Sequence, residues 1–161
     1  MMKISIIATG KLKDNYWKEA LAEYQRRLSA FAKVEIYEVP DRASQSGTEN
    51  QIKAAEGESI LARLQQLQAG GDTQIIALDG RGKQRSSTGL AAHFDELRLR
   101  GKSRLVFIIG GSHGLSAEIL AAAQESLSFG PQTWPHNLAR VMLTEQIYRA
   151  FSISANHPYH K

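Results

Sequence analysis

The chain has 161 residues, of which 42% are apolar and 22% charged, as is typical of a soluble globular protein that forms one domain, here residues 1–161. Because it contains no cysteine, disulfides, thiolate zinc sites and cysteine nucleophiles are excluded, and the composition fits a reducing compartment. The net charge of +4 suits an anionic partner without requiring one.

Strand and helix patterns alternate from the start of the chain. Residues 3–9 predict a buried strand that is too short for a signal peptide or a membrane span, so we expect a cytoplasmic protein with no membrane partner. Apolar residues at helical spacing follow and predict a helix, and residues 34–39 predict a strand with one face exposed to solvent. Thr48 and Gln51 then predict a capping box for a second helix, which the glycine pair 70–71 ends.

The alternation continues in the second half of the chain. Residues 73–79 predict a strand that runs into a glycine-rich loop at 80–83, and one of the hydroxyl residues 86–88 can cap the helix that follows. The apolar run 104–109 is rich in β-branched and aromatic residues, which predicts a strand buried on both faces. A short helix and a strand-like segment at 126–130 come next.

The last predicted helix, residues 137–151, is apolar on most sides and should therefore be buried on several faces. Part of this burial can come from another subunit. His136 precedes it and is expected to make local hydrogen bonds. Because strands and helices alternate throughout, the sequence predicts an α/β fold with a mostly parallel sheet flanked by helices.

Basic residues concentrate in two clusters that contain no acid. Arg81, Lys83 and Arg85 form the first, and four more cations lie within residues 98–104. Solvated loops beside buried strands are often basic, so contact with phosphates and simple solvation remain alternatives for both clusters.

Several familiar site motifs are absent. The glycines at 110, 111 and 114 do not have the G-x-G-x-x-G spacing of dinucleotide sites, and no nucleophile elbow occurs. His157 and His160 are possible metal ligands by residue type. Pro158 excludes a helix interior there, however, and no nearby acid completes a ligand set, so we expect no metal.

Three loops rich in glycine or proline follow predicted strands: one after Leu78, one after Ile109, and one from Phe129 to Trp134. The carboxyl ends of parallel strands share one edge of a sheet, so these loops can meet there. They offer backbone hydrogen-bonding groups, apolar walls and few charges. This combination suits a purine-bearing ligand of low net charge better than a triphosphate.

Five segments form a distinctive combination: Ile108-Ile109-Gly110-Gly111-Ser112-His113-Gly114-Leu115-Ser116, Leu127-Ser128-Phe129, Thr133-Trp134-Pro135-His136, Leu143-Thr144-Glu145-Gln146-Ile147-Tyr148-Arg149-Ala150 and Asn156-His157-Pro158-Tyr159-His160. With the start of the chain, Lys3-Ile4 and Thr9-Gly10-Lys11-Leu12-Lys13, this pattern resembles the RlmH family, a branch of the SPOUT (α/β-knot) methyltransferases. The resemblance covers the whole chain.

The resemblance implies a deep trefoil knot within about residues 73–161, an exception to the rule that chains do not thread their loops. It also implies a homodimer that transfers a methyl group from S-adenosylmethionine to N3 of a pseudouridine in 23S ribosomal RNA of the assembled ribosome. The cofactor contacts that it implies coincide with the three loops: Leu78, Gly110, Phe129, Gly130, Pro131, Gln132, Thr133 and Trp134.

N3 of a neutral pseudouridine carries a proton, so methylation needs a group that accepts this proton or stabilises the anion. His157, Tyr159 and His160 are candidates for holding or deprotonating the base, and Arg149 for stabilising negative charge on a carbonyl. A plain helix pair of Arg149 with Glu145 is the competing interpretation. Two alternative functions remain open: methylation of a different RNA nucleotide, and a non-catalytic role in binding RNA or ribosomes.

Overall fold

Five strands and five helices alternate along residues 1–161 of the computed structural model: β1 (Met2–Thr9), α1 (Asn15–Leu28), β2 (Ala32–Val39), α2 (Glu49–Gln66), β3 (Thr73–Gln84), α3 (Ser87–Leu99), β4 (Arg104–Ile109), α4 (Ala117–Ala122), β5 (Glu125–Ser128) and α5 (His136–Ser154). All strands are parallel and lie in the order β2-β1-β4-β3-β5. The predicted α/β class is therefore confirmed. No helix is both long and apolar enough to cross a membrane.

The central strand β4 contributes to a core on each face of the sheet. Leu105 and Phe107 pack in the larger cluster with side chains of α1, α3 and α5, while Val106 and Ile108 pack in a second cluster with α2 and α4. All four side chains are fully buried. This explains why the strand is continuously apolar and does not alternate between apolar and polar residues.

Local capping signals in the sequence are confirmed at three helices. Thr48 and Gln51 form the complete capping box of α2, and the hydroxyls of Ser86 and Ser116 accept the N3 amides of α3 and α4. The end of α2 differs from the prediction, because the helix stops before the glycine pair. The left-handed residue after it is Gln68, with φ of 50°.

The predicted loop at residues 80–83 is wrong, because β3 continues through it to Gln84. The strand shifts register between Leu78 and Lys83 and then pairs with β5 again. At Gly82 the two backbones nearly touch: a Cβ there would lie 2.7 Å from the carbonyl carbon of Ser126. The glycine that suggested a loop instead permits a close approach of two strands.

Arg140 is a buried cation on α5 and joins elements that are far apart in sequence. Its side chain is 2% exposed; Nη1 lies 2.7 Å from Oε2 of Glu38 on β2, and Nη2 donates to the carbonyl of Gly10. The same Glu38 oxygen accepts the amide of Leu12. Ten of the nineteen α5 residues are buried, which confirms the prediction of a helix covered on several faces.

We expect Glu38→Ala to destabilise the protein by about 3–5 kcal/mol, because the buried guanidinium of Arg140 would lose its counter-ion. Urea unfolding followed by circular dichroism measures the loss. Glu58→Ala, which removes an exposed carboxylate from α2, is the control and should change stability by less than about 0.5 kcal/mol. Equal stabilities of the two variants would contradict this role for the ion pair.

Candidate functional site

The irregular part of β3 at residues 78–80 and the loops that follow β4 and β5 meet at the carboxyl edge of the sheet and line a cavity of about 650 Å³. The first turn of α5 closes one side of the cavity. Every residue predicted for cofactor contact lies in its lining: Leu78, Gly110, Phe129, Gly130, Pro131, Gln132, Thr133 and Trp134. The three predicted segments therefore converge, although the first of them belongs to a strand and not to a loop.

Ser128, the last residue of β5, connects β3 to the loop that follows β5. It is 4% exposed, and its Oγ lies 3.1 Å from the carbonyl oxygen of Gly80 and accepts the amide of Gly130. Beyond it, Nε1 of Trp134 donates to the carbonyl of Phe129, which closes the third loop on itself. The cavity wall is thus held by hydrogen bonds from within the loops.

Gly110 lies where the loop after β4 folds back on itself. A Cβ at this position would lie 2.8 Å from the carbonyl carbon of Gly114 and 3.1 Å from Cδ2 of Leu115. Gly114 itself has a φ of 81° and donates its amide to the carbonyl of Gly111. The tight turn presents backbone to the cavity, and only glycine fits at Gly110 without a shift of the loop.

The cavity carries little charge, as the sequence indicated. Asp79 is the one carboxylate in the lining, and its Oδ2 lies 3.3 Å from Nε of Arg81. His136 also lines the cavity, although its position before a helix suggested only local hydrogen bonds. The sequence did contain a signal for His136 as a cavity residue, because it comes directly after the third loop in the segment Thr133-Trp134-Pro135-His136.

The candidate catalytic residues of the tail form a second cluster with α5. The Tyr159 hydroxyl donates to Oε1 of Glu145 at 2.9 Å, and the Arg149 guanidinium also binds Glu145 and covers the Tyr159 ring at 4.6 Å. Nη1 of Arg149 lies 3.2 Å from Nδ1 of His160. The helix pair of Arg149 and Glu145 is therefore present, but it also orders the tail.

His157 is the fourth candidate catalytic residue, and its ring packs edge-on against Phe31. Neither it nor His160 belongs to a set of three histidine or acidic side chains that could hold a metal ion. The tail is thus folded onto α1 and α5, and Tyr159 packs on Tyr148 with 4.7 Å between ring centroids.

The two groups of predicted site residues lie at different levels of α5 within one chain. His136 begins this helix at the cavity, whereas the tail cluster is bound to Glu145 and Arg149, nine and thirteen residues further along. At a rise of about 1.5 Å per residue these positions lie about 14 Å and about 20 Å along the helix axis from His136, and no tail residue lines the cavity of its own chain.

The two basic clusters differ in their surroundings. In the first, Arg81 and Lys83 lie on the extension of β3 beside the cavity. In the second, Arg98 pairs with Asp95, Arg100 pairs with Glu96, and Lys102 binds backbone carbonyls at the amino edge of the sheet. The first cluster is therefore the better candidate for phosphate contact at the site.

The fold is similar to that of solved structures described as a probable methylase and a probable methyltransferase. A family model described as "Predicted SPOUT methyltransferase" matches residues 2–160. A probable methylase family protein from Haemophilus influenzae Rd KW20 has a TM-score of 0.54 at 14% identity, with 99% of this chain and 70% of that chain covered. A probable methyltransferase from Bordetella pertussis Tohama I also has a TM-score of 0.54, at 13% identity, with 93% and 95% covered.

The chain belongs to the SPOUT methyltransferase family. Proteins named ribosomal RNA large subunit methyltransferase H, from Bacillus thuringiensis (strain Al Hakam) and Bacillus anthracis, are each 48% identical to it over 164 residues. The alignments cover 99% of this chain and 100% of each relative. The resemblance to the RlmH family is thus confirmed.

Burial, followed by the hydrogen bond to Glu145, raises the pKa of Tyr159 from 10.0 to about 12. The folded state therefore favours the neutral phenol of Tyr159. The environment of this phenol stabilises the fold below pH 10, and that stabilisation is lost as the pH rises toward 12. A titration at 295 nm should show one tyrosine fewer ionising near pH 12 in Tyr159→Phe than in the wild type. Ionisation of Tyr159 near pH 10 in the folded protein would contradict this environment.

Proposed function

We propose that the chain is an S-adenosylmethionine-dependent methyltransferase that methylates N3 of a pseudouridine in 23S ribosomal RNA on the assembled ribosome. The observation that carries the proposal is a cavity built from three loops in a chain 48% identical to ribosomal RNA methyltransferases over their whole length. The choice of pseudouridine N3 follows from the resemblance of the five sequence segments to the RlmH family. The trefoil knot that this resemblance implies is part of the same proposal.

The cavity suits S-adenosylmethionine in size and chemistry. Its volume of about 650 Å³ is in the usual range for small-ligand sites, and Leu78, Phe129 and Trp134 provide apolar surface for a purine. When bound, S-adenosylmethionine supplies a methyl group activated by a positively charged sulfur. The residues that would hold it are Leu78, Gly110, Phe129, Gly130, Pro131, Gln132, Thr133 and Trp134.

The chemistry of the tail cluster separates the roles of its members. Tyr159 is a neutral phenol at neutral pH, since its pKa is raised from 10.0 to about 12, so it is not the proton acceptor. Its hydroxyl hydrogen is donated to Glu145, which leaves the hydroxyl oxygen to accept a hydrogen bond from the base. The imidazoles of His157 and His160 are the candidates for receiving the N3 proton. Arg149, held by Glu145, provides positive charge for a pseudouridine carbonyl.

A homodimer reconciles the tail cluster with the cavity. The tail cluster lies about 14–20 Å along α5 from the start of the helix and does not line the cavity of its own chain, so a second copy would supply the tail if both act on one nucleotide. In a two-fold symmetric dimer the exchange is reciprocal, and two equivalent composite sites form. Arg81, Lys83 and Arg85 then lie beside each cavity as contacts for RNA phosphates.

Methyl transfer from labelled S-adenosylmethionine, followed by mapping of the modified nucleotide, tests this function. Assembled ribosomes should be methylated at a pseudouridine of 23S RNA, while free ribosomal RNA and tRNA should not. Labelling of a different nucleotide would indicate another SPOUT specificity. Binding to ribosomes with no transfer and no cofactor affinity would indicate a non-catalytic RNA-binding factor.

Two glycines of the cavity lining provide a matched pair for testing the cofactor site. Gly110→Ala should weaken S-adenosylmethionine binding at least tenfold in calorimetry, because its Cβ would contact the backbone of Gly114. A Cβ at Gly80 meets nothing within 4 Å, so Gly80→Ala should leave the affinity within about twofold of the wild type. Equal affinities of both variants would remove the β4–α4 loop from the site.

Mixed dimers test whether the tail acts across the interface. A variant with His157→Ala and His160→Ala and a variant with Gly110→Val should each be inactive alone. Co-expression with two different tags isolates the heterodimer, which should regain methyl transfer at the one site with an intact cavity and an intact partner tail. No recovery, or an active monomer in sedimentation at assay concentration, would refute the composite site.

A further inference from the structure

A buried carboxylate, Glu56 on α2, has no role in the site described so far. It is 2% exposed and forms no ion pair. Its Oε2 accepts the backbone amide of Arg42 at 2.9 Å, while its Oε1 has no hydrogen-bond partner. An ionised carboxylate is costly to bury in this state, because one amide replaces only part of the lost hydration.

The carboxylate of Glu56 lies against the β4–α4 loop of the cavity. A Cβ at Gly111 would be 3.2 Å from Oε2 and 3.3 Å from Oε1 of Glu56. The next residue of α2, Gly57, lies against the other end of the same loop, since a Cβ there would be 3.0 Å from Oγ of Ser116. Glu56-Gly57 is therefore the surface of α2 on which the loop rests.

A second acid, Asp41, faces Glu56 from the segment after β2. Burial and then Asp41 raise the pKa of Glu56, whereas the Arg42 amide and the charge of His113 act in the opposite direction. Asp41 also lines a polar groove of about 510 Å³ with Lys11, Lys13 and His136. His136 lines both this groove and the cofactor cavity.

We propose that Glu56 is a positioning residue that joins the Arg42 backbone to the β4–α4 loop and so sets the shape of the cofactor cavity. This inference rests on the proposed function for its ligand. In this arrangement Oε2 of Glu56 accepts the Arg42 amide and the carboxyl group packs against Gly111, while the buried, unpaired Oε1 favours the protonated acid.

Loss of the Glu56 proton would leave a buried carboxylate with one unpaired oxygen. The cost of this charge acts on the segment after β2 and on the loop at Gly111, because both are packed on Glu56. The packed arrangement is therefore favoured below the pKa of Glu56, which burial raises, and cofactor affinity should fall as the pH rises through that value.

The experiment compares S-adenosylmethionine affinity by calorimetry between pH 5 and pH 9 in the wild type, Glu56→Gln and Glu56→Ala. Gln preserves the shape of the neutral acid, so Glu56→Gln should retain the low-pH affinity of the wild type over the whole range. Glu56→Ala should bind about tenfold more weakly at low pH. Glu58→Gln, an exposed change on the same helix, should follow the wild-type profile.

A wild-type pH profile in Glu56→Gln, or an affinity as low as that of Glu56→Ala, would overturn the inference. If Glu56→Ala does not fold, the profile of Glu56→Gln still decides. Absence of S-adenosylmethionine binding in the wild type at every pH would instead count against the proposed function. In that case, amide exchange of residues 110–114 in wild type and Glu56→Gln at each pH tests the positioning role alone.

Discussion

The ion pair of Arg140 and Glu38 fixes α5 against the carboxyl ends of β1 and β2, and both groups of candidate site residues depend on where that helix lies. Its first residue, His136, lines the cavity, and its last turns carry Glu145 and Arg149. A guanidinium buried this deeply is stable only with its carboxylate and carbonyl partners in place. The position of the helix is therefore specified by a polar contact as well as by its apolar faces.

Close backbone approaches give the cavity its shape. At Gly82 the extension of β3 runs against β5, and at Gly110 the loop after β4 folds onto Gly114. Each approach places peptide groups where a side chain would otherwise stand, so the lining is built largely from backbone. A weakly charged ligand with many hydrogen-bonding groups suits such a wall better than a polyphosphate, which needs cations.

The proposed function assigns two kinds of chemistry to different parts of α5. In that proposal the cavity at the start of the helix provides apolar and backbone surface for the cofactor, and the cluster with the tail provides imidazoles, a neutral phenol and a guanidinium for the base. Glu56 on α2 packs against Gly111, which links the β4–α4 loop of the cavity to that helix.

The sequence by itself determined the element order, the parallel class, the caps and the convergence of three segments at the cavity, because period, capping residues and strand ends are local signals. Tertiary structure alone decided that β3 passes through residues 80–83 and that Arg140 binds a carboxylate 102 positions away. It also decided that the tail folds back to Glu145 and Arg149 and does not line the cavity of its own chain. These features depend on contacts between distant segments, which leave no periodic trace in the chain.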